Sequence, residues 1–343
     1  MADYSALDKF LHRMALGSAP LAEMLHDMER GMFLKSAPAD TGRHVFVTGL
    51  ARAGTTILMR EIHQTGEFGS LTYADMPFVL APNLWARVSR KGQTAGVRSE
   101  RAHGDGIEVD FQSPEALDEV FWRVFAGKFY ITPEGLVPHQ PDTDLIAAYR
   151  DLIRLVLRKA GKTRYVSKNN NNILRIATLA KAMPEAVFLV PLRDPLTHAA
   201  SLLAQHRRFL DAEPFTQQYM IWLGHHEFGA THRPFVFGKA PKGDPMTLDY
   251  WLDEWISAHT ALDQAEAASG NVVFVPYEAL SRDPAVWQAV AARIGLTAGP
   301  AGELREVRET PPGAHSAGLS DQARALHAKL TERAFAALSL PRG

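Results

Sequence analysis

Apolar residues recur every three or four positions over residues 4–34, as Leu7, Phe10, Leu11 and Met14 and then Leu21, Met24, Leu25 and Met28. That spacing lines one face of a helix. A break at Gly17–Pro20 divides the stretch into two helices, whose Met and His residues read as core packing. A linker follows at Ser36–Gly42, and then the period changes. His44–Gly49 is a short, β-branched apolar run stopped by a glycine, the pattern of a buried strand. Helical spacing returns over Thr55–Gln64, with Ile57, Leu58 and Ile62 on one face. Three more strand-like runs, Arg164–Ser167, Ala186–Leu192 and Asn271–Pro276, alternate with helical patterns over Asn172–Met183, Pro195–Arg208 and Thr247–Ala268. The alternation predicts an α/β fold, a parallel sheet with helices on both faces. A last helix over Ser320–Leu338 carries Ala323, Leu326, Leu330 and Phe335.

The rhythm is lost between residues 77 and 161, where Pro82, Pro114, Pro133, Pro138 and Pro141 fall, and again over 211–246. Both segments read as insertions forming a cap over the sheet. The chain of 343 residues is then one enlarged domain, 1–343, with N-terminal helices in 1–40.

Composition narrows the chemistry. With no cysteine, thiolate zinc sites, disulfides and cysteine nucleophiles are excluded. The 37 Lys and Arg against 38 Asp and Glu leave a net charge of −1, which gives no bulk attraction to nucleic acid. No stretch has the length of a membrane span or the apolar core of a signal peptide, so a soluble, cytoplasmic protein without integral membrane association is expected. Anion binding must come from a local pocket.

Three segments supply one. Gly49-Leu50-Ala51-Arg52-Ala53-Gly54-Thr55-Thr56 has the glycine spacing of a P-loop, which aims backbone N–H groups and a helix N-terminus at an anion. Thr55 stands where a Walker A loop carries Lys, and a cation, Arg52, sits inside the loop instead. Losing the Lys suits a transferred group less charged than a nucleoside triphosphate. The second segment, Val187 to Pro195, ends a strand on Arg193, with Asp194 and Pro195 as a helix start and Ser201 one helix stretch later. Arg193 and Ser201 suit a small phosphate site at the strand ends of an open sheet. The third runs Tyr277-Glu278-Ala279-Leu280-Ser281-Arg282-Asp283-Pro284.

In this order, the three segments resemble the PAPS-dependent sulfotransferases. Arg52-Ala53-Gly54-Thr55-Thr56 is similar to that family's 5′-phosphosulfate loop, Arg193 with Ser201 to its 3′-phosphate motif, and Tyr277–Pro284 to its Tyr-Glu-x-Leu-x-x-Asp-Pro segment. The resemblance implies a P-loop-like three-layer α/β fold with an acceptor cap. It also implies transfer of a sulfuryl group from 3′-phosphoadenosine-5′-phosphosulfate to a hydroxyl or amine of a small-molecule or glycan acceptor, with no metal. Arg52, Ala53, Gly54, Thr55, Thr56, Arg193 and Ser201 would bind the donor, and Arg52 and Lys168 would act on the reacting group. A P-loop kinase or NTPase is the main alternative enzyme, and a degenerate sulfotransferase-like binding module the non-enzymatic one.

The base is less legible. In one branch of the family a His follows the Lys by two residues, and here that place is Asn170, which cannot take a proton. Another branch uses a Glu shortly after the second strand. Phe68–Tyr73 reads as that strand, which makes Asp75 the expected base; the competing reading of Asp75 is a cap on the turn before Pro77. His103, Asp105, Glu108 and Asp110 in a Gly-rich cap loop, and His206 on the helix of Ser201, are weaker candidates. The run Trp222–Gly229 with His225, His226 and later His232 fits no standard zinc spacing.

Overall fold

The structure, a computed structural model, describes residues 6–89, 99–100, 108–109, 114–296, 299 and 313–340. In chain order these form α1 (Ala6–Gly17), α2 (Ala19–Phe33), β1 (Val45–Val47), α3 (Thr55–Gln64), β2 (Phe68–Gly69) and α4 (Pro82–Ser89). The two-residue strands β3 (Ser99–Glu100) and β4 (Glu108–Val109) pair with each other, and α5 (Glu119–Tyr130) and α6 (Thr143–Ala160) follow. Then come β5 (Arg164–Lys168), α7 (Ile176–Ala182), β6 (Val187–Leu192), α8 (Pro195–Leu210), α9 (Pro214–Trp222) and α10 (Leu248–Ala268). The chain closes with β7 (Val272–Pro276), α11 (Tyr277–Arg282), α12 (Pro284–Arg293) and α13 (Ala317–Ala337).

The sheet is five-stranded and parallel, in the order β2-β5-β1-β6-β7. The period-two alternation of side chains divides its two cores. Val45, Val47, Val166, Leu189, Val273 and Val275 pack on one face with Leu58, Ile62, Trp287 and Val290 from α3 and α12. Phe46, Tyr165, Phe188 and Phe274 face the other way, and Phe46 stacks on Phe188 at 4.9 Å between ring centroids. Both sides of β1 are therefore dry, which is why its three residues read as an unbroken apolar run.

The boundaries differ from expectation where polar residues make local bonds. Phe68–Gly69 is all of the expected second strand that joins the parallel sheet, and Tyr73–Asp75 turns as a 3-10 helix. The helix expected from Asn172 begins as a 3-10 turn over Asn170–Leu174, because the Asn169 side chain accepts from the Asn171 N–H. The 77–161 segment is more helical than a polar loop. Asp142 caps α6 and Gly161 ends it in a left-handed turn. Tyr149, Leu152, Ile153 and Val156 of α6 join Phe46 and Tyr165 in the core under the sheet.

The N-terminal pair also packs differently. Met24 and Met28 are exposed, and α2 buries Ala22, His26, Glu29 and Phe33 instead. The reason is α4: the Glu29 carboxylate accepts the Asn83 and Leu84 N–H groups at 2.9 Å each, donors that the first turn of a helix leaves unmet. Among the described residues, no helix is long and apolar enough to cross a membrane.

Candidate active site

Parallel strands end on the same edge, so segments far apart in the chain meet there. The loop after β1 lies between Lys168, which closes β5 opposite Val47, and Arg193, just past β6. Gly54 (φ 90°) is where this loop becomes α3. A Cβ there would lie 2.1 Å from the Tyr277 ring, so the residue must be glycine for Tyr277 to pack against the loop. Arg52 is a non-glycine residue in the left-handed region, at φ 69°.

Neighbours hold that conformation. Arg193 Nη1 donates to the Arg52 carbonyl at 2.8 Å, and His198 Nε2 donates to the Ala51 carbonyl at 2.7 Å. Arg52 Nε donates to Ser201 Oγ at 3.3 Å. The loop carbonyls are thus tied back by α8 and the residue before it. The N–H groups of Ala53, Gly54 and Thr55, by contrast, donate to no described residue. A helix N-terminus with unmet donors and an adjoining pair of guanidinium groups is suited to an anion.

Electrostatics agree. Burial pulls the Arg193 guanidinium down, and Tyr277, Glu278 and Asp194 offset this. Burial, and the nearby Arg193, push His198 well below its ordinary value, so its ring is neutral and serves as a donor to the loop. Glu278 Oε1 accepts from the Asp194 N–H at 2.9 Å, and Asp194 caps α8 through the Thr197 N–H. The third segment is therefore a clamp on the second. Of the residues expected to bind the donor, Arg52, Arg193 and Ser201 are linked by these bonds, and Gly54 lies against Tyr277.

The turn after Lys168 is built of amides. Asn169 N–H donates to the Val47 carbonyl, Thr48 Oγ1 donates to the Asn169 carbonyl, and Asn171 Nδ2 donates to the Gly224 carbonyl. Asn169 Nδ2 reaches Glu119 Oε2 at 2.8 Å. Glu119 in turn takes a bidentate pair from Arg175, at 2.9 and 3.0 Å, and a hydrogen bond from the Tyr130 hydroxyl. All three groups are buried, and the Arg175 guanidinium lies over the Trp122 and Tyr130 rings. Burial raises the Glu119 carboxyl, but Arg175 outweighs it and holds the group below its usual range. This network joins α5, in the cap segment, to the turn beside Lys168.

Asp75 is engaged in its own turn. It is fully buried at the 3-10 turn after β2, where Oδ2 accepts the Thr72 N–H and hydroxyl at 2.9 and 3.2 Å. Oδ1 accepts from Lys159 Nζ of α6 at 2.5 Å. None of these bonds reaches the loop, Lys168 or Arg193. The turn-capping geometry is what the residue displays.

The histidines singled out in the sequence are engaged locally. His206 Nδ1 accepts from the Gly229 N–H, His225 Nε2 meets the Ala116 carbonyl, and His232 bridges the His226 carbonyl and the Tyr250 hydroxyl. Among the described residues, no group of three or more His, Cys, Asp or Glu is arranged to hold a metal ion. His103, Asp105 and Asp110 lie outside the described residues, and the backbone of Glu108 is in β4.

Several buried carboxylates have no expected role in the sequence, among them Glu227, between His226 and His232 in the 211–246 segment, and Glu254, beyond it on α10. Asn170 Nδ2 donates to Glu227 Oε1 at 2.9 Å. Burial raises Glu227, but the nearby His225 and Lys168 and the Asn170 bond outweigh it, and the carboxyl is held below its usual range. Among the described residues, Glu254 of α10 accepts only from the Phe235 N–H, and burial, helped by the charge of Glu227, pushes it up to about 8.

That shift has a testable sign. Between about 4.5 and about 8 the folded chain keeps a proton on Glu254 that the unfolded chain has lost. The stabilisation is full at acid pH and disappears as the pH rises through about 8. Glu254→Gln keeps the carbonyl acceptor without the charge. Its Tm is expected to fall less than that of the parent between about pH 5 and about pH 9. Parallel falls in differential scanning calorimetry would remove the protonated Glu254.

The model of a family described as "Sulfotransferase family" matches residues 44–298 of the chain. No curated protein matches the sequence. Among solved structures, sulfotransferase STF1 from Mycobacterium tuberculosis H37Rv is similar at 16% identity and TM-score 0.49, over 99% of this chain and 85% of that one. Sulfotransferase STF9 from Mycobacterium avium is similar at 14% identity and TM-score 0.44, over 96% of this chain and 79% of that one. A sulfotransferase from Alicyclobacillus acidocaldarius is similar at 16% identity and TM-score 0.39, over 87% of this chain and 96% of that one.

Proposed function

The chain belongs to the sulfotransferase family, and from that premise we propose that it transfers a sulfuryl group from 3′-phosphoadenosine-5′-phosphosulfate to a hydroxyl or amine acceptor. The observation that carries the donor assignment is the convergence of Arg52, Arg193 and Ser201 beside a helix N-terminus with unmet N–H groups. A donor with phosphate at both ends of one ribose needs two anion sites a nucleoside apart. The loop from Ala53 to Thr56 suits the 5′-phosphosulfate, and Arg193 with Ser201 suits the 3′-phosphate.

Arg52 and Lys168 then act on the charge that moves onto the leaving phosphate oxygen as the S–O bond stretches. Fixed cations placed for the transition state give more there than in water, because they need no reorganisation. Transfer of this kind is mainly a matter of positioning, with the acceptor oxygen in line with the leaving oxygen. Thr55, where a kinase loop has Lys, is turned to Asn170 through its hydroxyl, which supports sulfuryl over phosphoryl transfer. The segments 77–161 and 211–246 would enclose the acceptor, a small molecule or glycan, and the protein would work in the cytoplasm. Asp75 enters as base only by giving up Thr72 or Lys159.

Isothermal titration calorimetry is the direct test. Adenosine 3′,5′-bisphosphate is expected to bind about 10- to 150-fold tighter than adenosine 5′-monophosphate, since the second phosphate adds a charge-assisted bond of about 1.5–3 kcal/mol. No preference for the 3′-phosphate, or tighter binding of Mg²⁺-ATP, would sink the donor assignment.

A further inference from the structure

Glu227 has no part in the donor site, yet it is wired to it. Its Oε1 accepts from Asn170 Nδ2 at 2.9 Å, and Asn170 Oδ1 accepts from the Thr55 hydroxyl at 3.5 Å. One side-chain amide therefore spans from the first residue of α3 to the carboxylate. Lys168 precedes Asn170 by two residues and acts on Glu227 electrostatically. Among the described residues, Asn170 is the one side chain that donates to the Glu227 carboxylate, which leaves Oε2 without a side-chain donor. The residue is 8% exposed, so this oxygen is not simply dissolved in solvent.

We propose that Glu227 is the general base of the transfer, with Oε1 fixed by Asn170 and Oε2 taking the proton of the acceptor hydroxyl. The inference rests on the sulfuryl-transfer reading. Three observations carry it. First, the residues suited to the donor come from the sheet edge, whereas Glu227 comes from the 211–246 segment, which the proposed function assigns to the acceptor. Secondly, Asn170 cannot itself take a proton, but an amide has a donor and an acceptor end. It uses one for Thr55 and the other for Glu227, so the amide that replaces an expected histidine locates a carboxylate. Thirdly, Asp75 has both oxygens committed to Thr72 and Lys159.

The charges around Glu227 keep it ionised, the form that can take a proton. Lys168 faces it from β5, His225, His226 and His232 come from its own segment, and Glu254 comes from α10. Burial keeps His226 and His232 below their ordinary values, His232 at about 4, and keeps Glu254 protonated in the neutral range. Glu227 is the ionised acid of the pair, and two acids driven apart in this way can take different roles. In the step itself, a lone pair of the acceptor oxygen forms the new O–S bond while its proton passes to Oε2. The bond from sulfur to the 5′-phosphate oxygen breaks, and its electron pair leaves with adenosine 3′,5′-bisphosphate.

The experiment compares the parent, Glu227→Gln and Asp75→Asn with radiolabelled donor and two probe acceptors. One probe, 4-nitrophenol, is largely ionised in mildly alkaline buffer, and the other, 2-phenylethanol, keeps its proton; sulfate released to water is counted in the same reactions. A lost base harms only acceptors that carry a proton. Glu227→Gln is expected to lower kcat for 2-phenylethanol and for water by about 100-fold or more. It should lower 4-nitrophenol turnover by less than about 5-fold, and the acid limb of the pH profile should vanish. Its affinity for adenosine 3′,5′-bisphosphate should stay within about 3-fold of the parent. Asp75→Asn should change both probes equally. Equal losses by Glu227→Gln on the two probes, or parent-like turnover of the alcohol, would overturn the proposal. So would a parent that binds the nucleotide but transfers to none of the three acceptors. A parent that fails to bind adenosine 3′,5′-bisphosphate defeats the donor reading first, and the base with it.

Discussion

Arg193→Ala is expected to weaken binding of adenosine 3′,5′-bisphosphate by about 100-fold or more. Two losses combine. The guanidinium is a buried cation at the strand end, bonded to the loop whose Arg52 reaches Ser201, and a charge-assisted bond to phosphate contributes about 1.5–3 kcal/mol. The same side chain donates to the Arg52 carbonyl at 2.8 Å, behind a residue held at φ 69°. Without that donor the left-handed turn, which costs about 1–3 kcal/mol, loses a restraint, and the loop amides lose their aim. Arg193→Lys should recover only part of the affinity, since an ammonium cannot span a phosphate and a carbonyl as a planar fork does. Calorimetric titration, with circular dichroism to confirm folding, reads the effect. A loss below about 5-fold in Arg193→Ala would place the 3′-phosphate elsewhere.

Arg175→Met is expected to destabilise the fold by about 3–5 kcal/mol, the usual cost of leaving one member of a buried ion pair without its partner. Glu119 would keep Tyr130 and Asn169 as donors but lose the bidentate guanidinium in a site closed to water. The charge would have to be neutralised by a proton. The gap between variant and parent should therefore narrow as the pH falls below the ordinary range of a glutamate, where the parent loses the contribution of its depressed carboxyl. The double variant Arg175→Met with Glu119→Gln should regain much of the loss, because no buried charge is left. Urea denaturation at several pH values measures all three. A single variant as stable as the parent, or a gap independent of pH, would remove the ion pair from the account.

Much of the sheet was legible because β1, β6 and β7 are short apolar runs, buried on both faces, that a covered parallel sheet holds. The helix starts at Pro195 and Pro284 were legible for a local reason, since an Asp side chain caps each one over two or three residues. The pairing of Phe68–Gly69 alone, and the inward turn of Glu29 on α2, were not, because each depends on a partner distant in the chain.

The chain alone was enough to mark Gly54, Arg52, Arg193 and Ser201, because a loop, a strand end and a helix start each follow from contiguous residues. Their convergence, with Tyr277 against Gly54 and Glu278 on the Asp194 N–H, needed the parallel sheet to bring three strand ends to one edge. The surroundings of the acids were decided there too. Asp75 and Glu227 are both acids in polar turns, and sequence favours the one nearer the second strand. Folding places Lys159 against Asp75 and Asn170 against Glu227. A carboxylate's chemistry is set by the charges and donors within a few ångströms of it, and across 84 and 57 residues respectively only the tertiary structure supplies them.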